Sequence, residues 1–214
     1  MSEFAKVLLV NGSPRQYGCT YTALSEIADT LADEGVGSEF FWIGTEPMSG
    51  CIACKRCAEL GRCIFNDRVN EFLDAADGFD GFIFGSPVHY AGISGSMTSF
   101  MDRVFFSTAC SNRQSFFLKP GASIVSARRA GATAALDQMN KYILYNQMPV
   151  ISSRYWSMVH GNTPEEVRQD AEGLQIMRTL ARNMAWFLKC KSAAAAAGIP
   201  LPNVEARIST NFIR

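Results

Sequence analysis

The chain has no excess of charge of either sign. Lys plus Arg number 20 and Asp plus Glu number 20, for a formal net charge of +0. That balance offers no purchase to a nucleic acid or a membrane surface. No apolar run approaches membrane-spanning length. The first residues lack the basic-then-apolar layout of a secretion signal. These absences lead to the expectation of a cytoplasmic protein. Histidine is scarce, with His89 and His160 the only two. Either could donate a proton to a reduced acceptor, and an ordinary loop histidine is the simpler reading of each. There is no internal repeat. With 214 residues, 48% of them hydrophobic, the chain suits one domain over 1–214 with a decoration.

Apolar runs and helical periodicity alternate along the chain. Lys6–Val10 reads as a strand buried on both faces, and Thr20–Glu34 as a helix with Ala23, Leu24, Ile27, Ala28 and Leu31 on one side. Further strands are expected at Glu39–Ile43, Gly81–Gly85, Ala122–Ser126 and Pro149–Ser152. Helices are expected at Asp67–Asp77, Ser96–Phe106 and Thr133–Tyr145, and one more from the Thr163-Pro164-Glu165-Glu166 start to Lys191 or through Ala193–Ala197. Strand–helix alternation implies an α/β fold, a five-stranded parallel sheet with helices on both faces. Five such strands suit the flavodoxin-like order 2-1-3-4-5. Ligands of such sheets sit beyond the carboxyl ends of the strands. That rule selects three loops, Asn11–Gly18, Ser86–Gly95 and Ala127–Thr133.

The first loop joins a buried strand to a helix start through Gly12-Ser13-Pro14-Arg15. Free N–H groups and a positive dipole meet there, which makes an anion site. Ser13 and Thr20 add hydroxyls, and Arg15 adds a permanent positive charge. A phosphate monoester suits it, and an ordinary strand-to-helix turn is the plainer alternative. Neither the Gly-Lys-Ser/Thr of a Walker loop nor a G-x-G-x-x-G fingerprint is present. The second loop, Ser86-Pro87-Val88-His89-Tyr90-Ala91-Gly92, offers a partly aromatic edge for a planar heteroaromatic ring, and Gly92 lets a ligand approach the backbone. The third, Ser126-Ala127-Arg128-Arg129-Ala130-Gly131, repeats the geometry of the first. Its arginines could set positive charge beside a ring that becomes anionic on reduction, or be solvated surface residues.

Taken together, the three loops resemble those of the NAD(P)H-dependent FMN reductases of the flavodoxin-like superfamily, from about Lys6 to about Gly161. The stretch G-S-P-R with Gly18 and Thr20 is similar to that family's phosphate loop, S-P-V-H-Y to its isoalloxazine loop, and S-A-R-R-A-G to its third flavin loop. The resemblance implies FMN at the sheet edge, its phosphate on Ser13, Arg15, Gln16, Gly18, Cys19 and Thr20. It implies ring contacts from Pro87, Val88, His89, Tyr90 and Gly92, and from Ser126, Ala127, Arg128, Arg129 and Gly131. The family commonly has Tyr at the place of His89 and Asn at that of Cys19, so a backbone contact is expected at Cys19. NAD(P)H would be the electron donor, and a quinone, azo, nitro or flavin compound the small-molecule acceptor. The flavin carries such chemistry, so no catalytic acid–base pair is expected. Relatives of this kind imply a homodimer or homotetramer.

Seven cysteines are present, an odd number. Cys51, Cys54, Cys57 and Cys63 crowd into the long loop 44–66, which argues for a metal or redox role in a reducing compartment. Their C-x2-C-x2-C-x5-C spacing resembles the compact motif of iron–sulfur flavoproteins, a branch of the same superfamily. A 4Fe–4S cluster there would make the chain an electron carrier partnered by ferredoxin. Structural zinc, free thiols and one reversible disulfide are the alternatives. Lys55, Arg56 and Arg62 flank the run. Cys19, Cys110 and Cys190 read as packing residues. Trp156 is a candidate wall of a substrate pocket or a packing residue, and the tail 199–214 is an arm on a partner subunit or loose chain.

Overall fold

The computed structural model describes residues 5–206, 208 and 210. The remainder of the tail 199–214 lies outside the described residues. Among the described residues six strands form: β1 (Lys6–Asn11), β2 (Gly37–Trp42), β3 (Gly81–His89), β4 (Gly92–Ile93), β5 (Gly121–Ala127) and β6 (Met158–His160). Five of them run parallel in the order β2-β1-β3-β5-β6. The two-residue β4 pairs antiparallel with the end of β3 and stands off this path. With that hairpin strand set aside, the sheet has the expected 2-1-3-4-5 order.

Side-chain alternation divides the core in two. Leu8, Val10, Phe82, Phe84 and Val125 point to one face of the sheet. There they meet α3 (Arg68–Ala76), α4 (Gly95–Cys110) and α5 (Ala132–Tyr145). Val7, Leu9, Ile83, Ala122 and Ile124 point to the other. Those residues meet α1 (Cys19–Asp33), α6 (Pro164–Gln169) and α7 (Ala171–Ala196). The first face is rich in phenylalanine. Phe72 on α3 is fully buried and lies 5.1–6.3 Å, ring centre to ring centre, from Phe41, Phe82, Phe84, Phe100 and Phe116. Edge-on and offset pairs at such distances add to the transfer of the rings out of water. Among the described residues no helix is long and apolar enough to cross a membrane.

Three expectations are corrected. Pro149–Ser152 is not the fifth strand: it makes one isolated bridge, Gly121 to Val150. Around that bridge the Pro149 carbonyl accepts from Gly121 N–H and Ile151 N–H donates to the Gly121 carbonyl, and Ser152 and Ser153 then turn to α7. Ser153 Oγ donates to the Ile176 carbonyl (2.7 Å) and Asn183 Nδ2 to the Ser152 carbonyl (2.8 Å). The chain rejoins β5 at Met158–His160, after a detour that exposes Tyr155 and Trp156, stacked edge-on at 4.6 Å. The final helix is two helices. Asp170 breaks it with ψ 76°, because its carboxylate caps α7 through Gly173 N–H and takes the His160 N–H as well. The long cysteine loop contains one short helix, α2 (Cys57–Leu60).

Candidate functional site

The carboxyl ends of β1, β3 and β5 are neighbours, so their three loops meet. Contacts between the loops fix them to one another. Thr20 Oγ1 and Ser126 Oγ share a buried hydrogen bond of 2.9 Å between the first and third loops. Ser94 Oγ donates to the Gly12 carbonyl (3.0 Å), and Ser94 N–H donates to Ser86 Oγ (3.1 Å). The tip of the β3–β4 hairpin rests on the third loop at Gly131. A Cβ there would sit 2.6 Å from Ala91 Cα, so only glycine permits the approach. The φ of Gly131, 93°, makes the same demand. Tyr90 and Ala91 at the tip also have left-handed φ, 51° and 61°, as a two-residue hairpin turn requires at both central positions.

The first loop is braced from inside. Asn11 Oδ1 accepts from Ser13 N–H (3.0 Å), and Asn11 Nδ2 donates to the Gln16 carbonyl (2.8 Å). Ser13 Oγ accepts from Arg15 N–H, and Trp42 Nε1 donates to the Ser13 carbonyl. Sequence reading placed Asn11 at the start of this loop without seeing its bracing role, and missed Trp42. The Asn-Gly-Ser-Pro turn carried a signal for the first, since Asn side chains bond the backbone two residues on. Nothing local marked Trp42.

The electrostatics favour an anion. Gly18 begins α1 with no side-chain cap, and Gly131 begins α5 with none. The first-turn N–H groups of both helices therefore face the edge without a side-chain acceptor. By contrast, α4 is capped by its own Ser94. Arg15, Arg128 and Arg129 are exposed, and among the described residues their guanidinium groups join none of the ion pairs. Burial pushes the Cys19 thiol up, against the opposing pull of Arg15, and its Sγ lies 3.7 Å from the Gly161 carbonyl. That contact turns the thiol toward the loop after β6.

The remaining predicted residues are distributed around this edge. Ser13, Gly18, Thr20, Ser126 and Ala127 are buried beneath it, and Pro87, Val88, Gly92 and Gly131 are half-buried. Gln16, His89 and Tyr90 are exposed. His160 stands at the end of β6 with Nδ1 3.8 Å from Asp170.

The cysteines form a second locus. Cys51, Cys54, Cys57 and Cys63 line one small cavity of about 20 Å³, walled by Phe65, Arg103 and Phe106. Among the described residues no three His, Cys, Asp or Glu side chains are arranged to hold a metal ion. The donor set is nonetheless all sulfur, which suits soft, cluster-type ligation. Arg103, 1% exposed on α4, anchors the loop. It pairs both oxygens of Asp67, the α3 cap, at 2.7 and 2.9 Å, and gives two N–H bonds to Cys63 Sγ at 3.3 Å. Burial pulls its pKa down, but the Asp67 and Cys63 bonds outweigh that and raise it. Sequence reading missed Arg103, which stands three residues after Phe100 where a solvated arginine would also fit.

The model of the NADPH-dependent FMN reductase family matches residues 5–163. The chain is 30% identical over 192 residues to an iron–sulfur flavoprotein of Methanocaldococcus jannaschii, covering 86% of this chain and 97% of that one. Two solved structures share the fold. The flavodoxin, WrbA-like protein from Agrobacterium tumefaciens has a TM-score of 0.62 at 14% identity, over 87% of this chain and 98% of that one. RosB with a bound 8-demethyl-8-formylriboflavin-5′-phosphate intermediate has a TM-score of 0.66 at 12% identity, over 98% and 94%. The fold is flavodoxin-like.

Gly131→Ala is expected to lower stability by about 1–3 kcal/mol and to loosen the β3–β4 hairpin. Urea unfolding measures the first effect and amide hydrogen exchange at Val88–Ile93 the second. Unchanged exchange at the hairpin would refute the contact with Ala91.

Proposed function

This chain belongs to the NADPH-dependent FMN reductase family, and we propose that it is an FMN-dependent oxidoreductase that takes hydride from NAD(P)H and delivers it to a small-molecule acceptor. The acceptor class is a quinone, azo compound, nitro compound or free flavin. One observation carries the reading. Three mutually braced loops converge on one sheet edge, with two glycine-led helix starts and three arginines outside any ion pair among the described residues.

The residues present fit FMN. Ser13, Arg15, Gln16, Gly18, Cys19 and Thr20 would hold the phosphate, with backbone N–H groups of the α1 start supplying direction and Arg15 supplying charge. Pro87 to Tyr90 with Gly92, and Ser126 to Gly131, would line the ring. Bound FMN supplies the hydride chemistry, and the protein supplies binding, orientation and electrostatics. Arg128, Arg129 and the α5 start give the ring side of the edge a positive field. The Gly131–Ala91 contact holds the second and third loops against each other. On this reading the protein is a cytoplasmic homodimer or homotetramer.

A second reading is favoured by the convergence of four thiols on one cavity and by the iron–sulfur name of the M. jannaschii relative. Cys51, Cys54, Cys57 and Cys63 would hold a 4Fe–4S cluster that exchanges single electrons with a ferredoxin. Arg103 would then direct N–H groups at a ligand sulfur, one of the protein's means of tuning such a centre.

Protein loaded with FMN is expected to oxidise NADPH or NADH, with the acceptor panel, faster than the same concentration of free FMN. Turnover equal to that of free FMN would remove the first reading. Arg15→Ala is expected to weaken FMN binding about tenfold, roughly 1.4 kcal/mol, while riboflavin, which lacks the phosphate, binds both proteins alike. Equal loss for both ligands would take Arg15 off the phosphate. Anaerobic preparations are expected to contain iron and acid-labile sulfide on the second reading, and their absence rejects it.

A further inference from the structure

A chain of polar contacts joins the cysteine loop to the first loop of the sheet edge. It starts at Cys63, whose sulfur takes two N–H bonds from Arg103 at 3.3 Å. Asn70, buried on α3, accepts the Cys63 N–H (3.0 Å) and donates to the Cys63 carbonyl (2.9 Å). Arg103 also pairs with Asp67, the α3 cap. The next residue, Arg68, donates from Nη2 to the Trp42 carbonyl (2.5 Å), and its guanidinium lies 4.2 Å over the Phe41 ring. Trp42 ends β2, and its indole N–H donates to the Ser13 carbonyl (2.8 Å).

The middle of this chain is stiff. Asp67, Arg68 and Asn70 stand on the cap and first turn of one helix, so the grip on Cys63 and the grip on Trp42 move together. The cysteine end is costly to form. Ala53 and Lys55, between Cys51 and Cys57, hold left-handed φ of 54° and 58° without being glycine. A metal fastened by thiolates on either side of them offsets that cost and keeps Cys63 on Arg103. At the other end, a phosphate on the first loop fixes Ser13 against Trp42. A ligand that orders one end of a connected structure leaves less ordering for a ligand at the other, and the two then bind cooperatively.

We propose that a thiolate-bound metal on Cys51, Cys54, Cys57 and Cys63 and FMN at the sheet edge strengthen each other's binding through Arg103, the start of α3 and Trp42. The coupling is reciprocal by linkage. Trp42 is a positioning residue in this scheme: it acts on the phosphate through the Ser13 backbone. Its indole braces the first loop and neither of the other two, so the effect falls on the phosphate end of the cofactor and spares the ring. The inference rests on FMN binding at this edge, and it holds whichever soft metal centre the thiolates take.

The test uses the whole protein, reduced and freed of flavin and metal, with cadmium alone as a thiolate-seeking probe. Calorimetric titration under anaerobic conditions measures FMN and riboflavin affinity with and without cadmium. In wild type cadmium is expected to tighten FMN binding about fivefold or more and to leave riboflavin binding unchanged. Trp42→Phe keeps a ring but has no N–H. It is expected to take up cadmium as wild type does and to lose the effect on FMN. Circular dichroism checks its fold, and Arg68→Met, which cuts the next link, replaces it if it fails. The double variant Cys51→Ser, Cys54→Ser changes two exposed thiols and is also expected to lose the effect, which separates the motif from Cys19 at the phosphate loop. No cadmium uptake by wild type, equal FMN affinity in both states, a gain shared by riboflavin, or a gain that persists in the variants would each overturn the coupling. Failure to bind FMN in either state removes the FMN reading itself, and this inference with it.

Discussion

A sheet covered by helices on both faces has only the ends of its strands for chemistry. Val7 to Val10 and Phe82 to Phe84 are buried without exception, so polar groups along them would be stranded in hydrocarbon. The chain changes character where the strands stop. Gly, Ser, Thr and Arg follow at once, and the loops they make lie side by side because β1, β3 and β5 do. The position of the candidate site follows from the burial of everything beneath it.

The loops at that edge are held by small contacts rather than by regular structure. A hydroxyl pair, a serine on a carbonyl and a glycine without a Cβ each link two segments far apart in sequence. Such links position an edge closely while leaving helix N–H groups uncommitted. The cysteine loop is organised on another plan. It hangs from one buried arginine, and Arg103 reaches Asp67 and Cys63 from a single planar group. Removing one partner of a buried ion pair costs much more than exchanging both for apolar groups, so the three residues act as one.

Much of this was legible in the sequence because its signals are local. Continuous apolar runs mark strands buried on both faces, as at Gly81–Gly85, and glycine beside a strand end marks a loop that something approaches. The meeting of three loops at the strand ends could therefore be read from Ser13, Arg15, Pro87, Tyr90, Ser126 and Gly131 in the sequence. What escaped depends on partners remote in the chain. Whether Pro149–Ser152 joins the sheet is decided by Ile176 and Asn183 on α7. The break at Asp170 reflects a carboxylate serving both Gly173 and His160. Arg103 looks like any helix arginine until Asp67 is brought to it. The spacing of four cysteines marks a cluster, and they line one cavity.

The detour at Ser152–Ser157 has a consequence for assembly. It leaves one margin of the sheet with a three-residue strand, β6, flanked by chain already bonded to α7. Short, interrupted margins offer few unpaired amides to a neighbouring polypeptide. The opposite margin, β2, runs six residues without a break. The two margins of the sheet therefore differ in the length of backbone they leave unpaired.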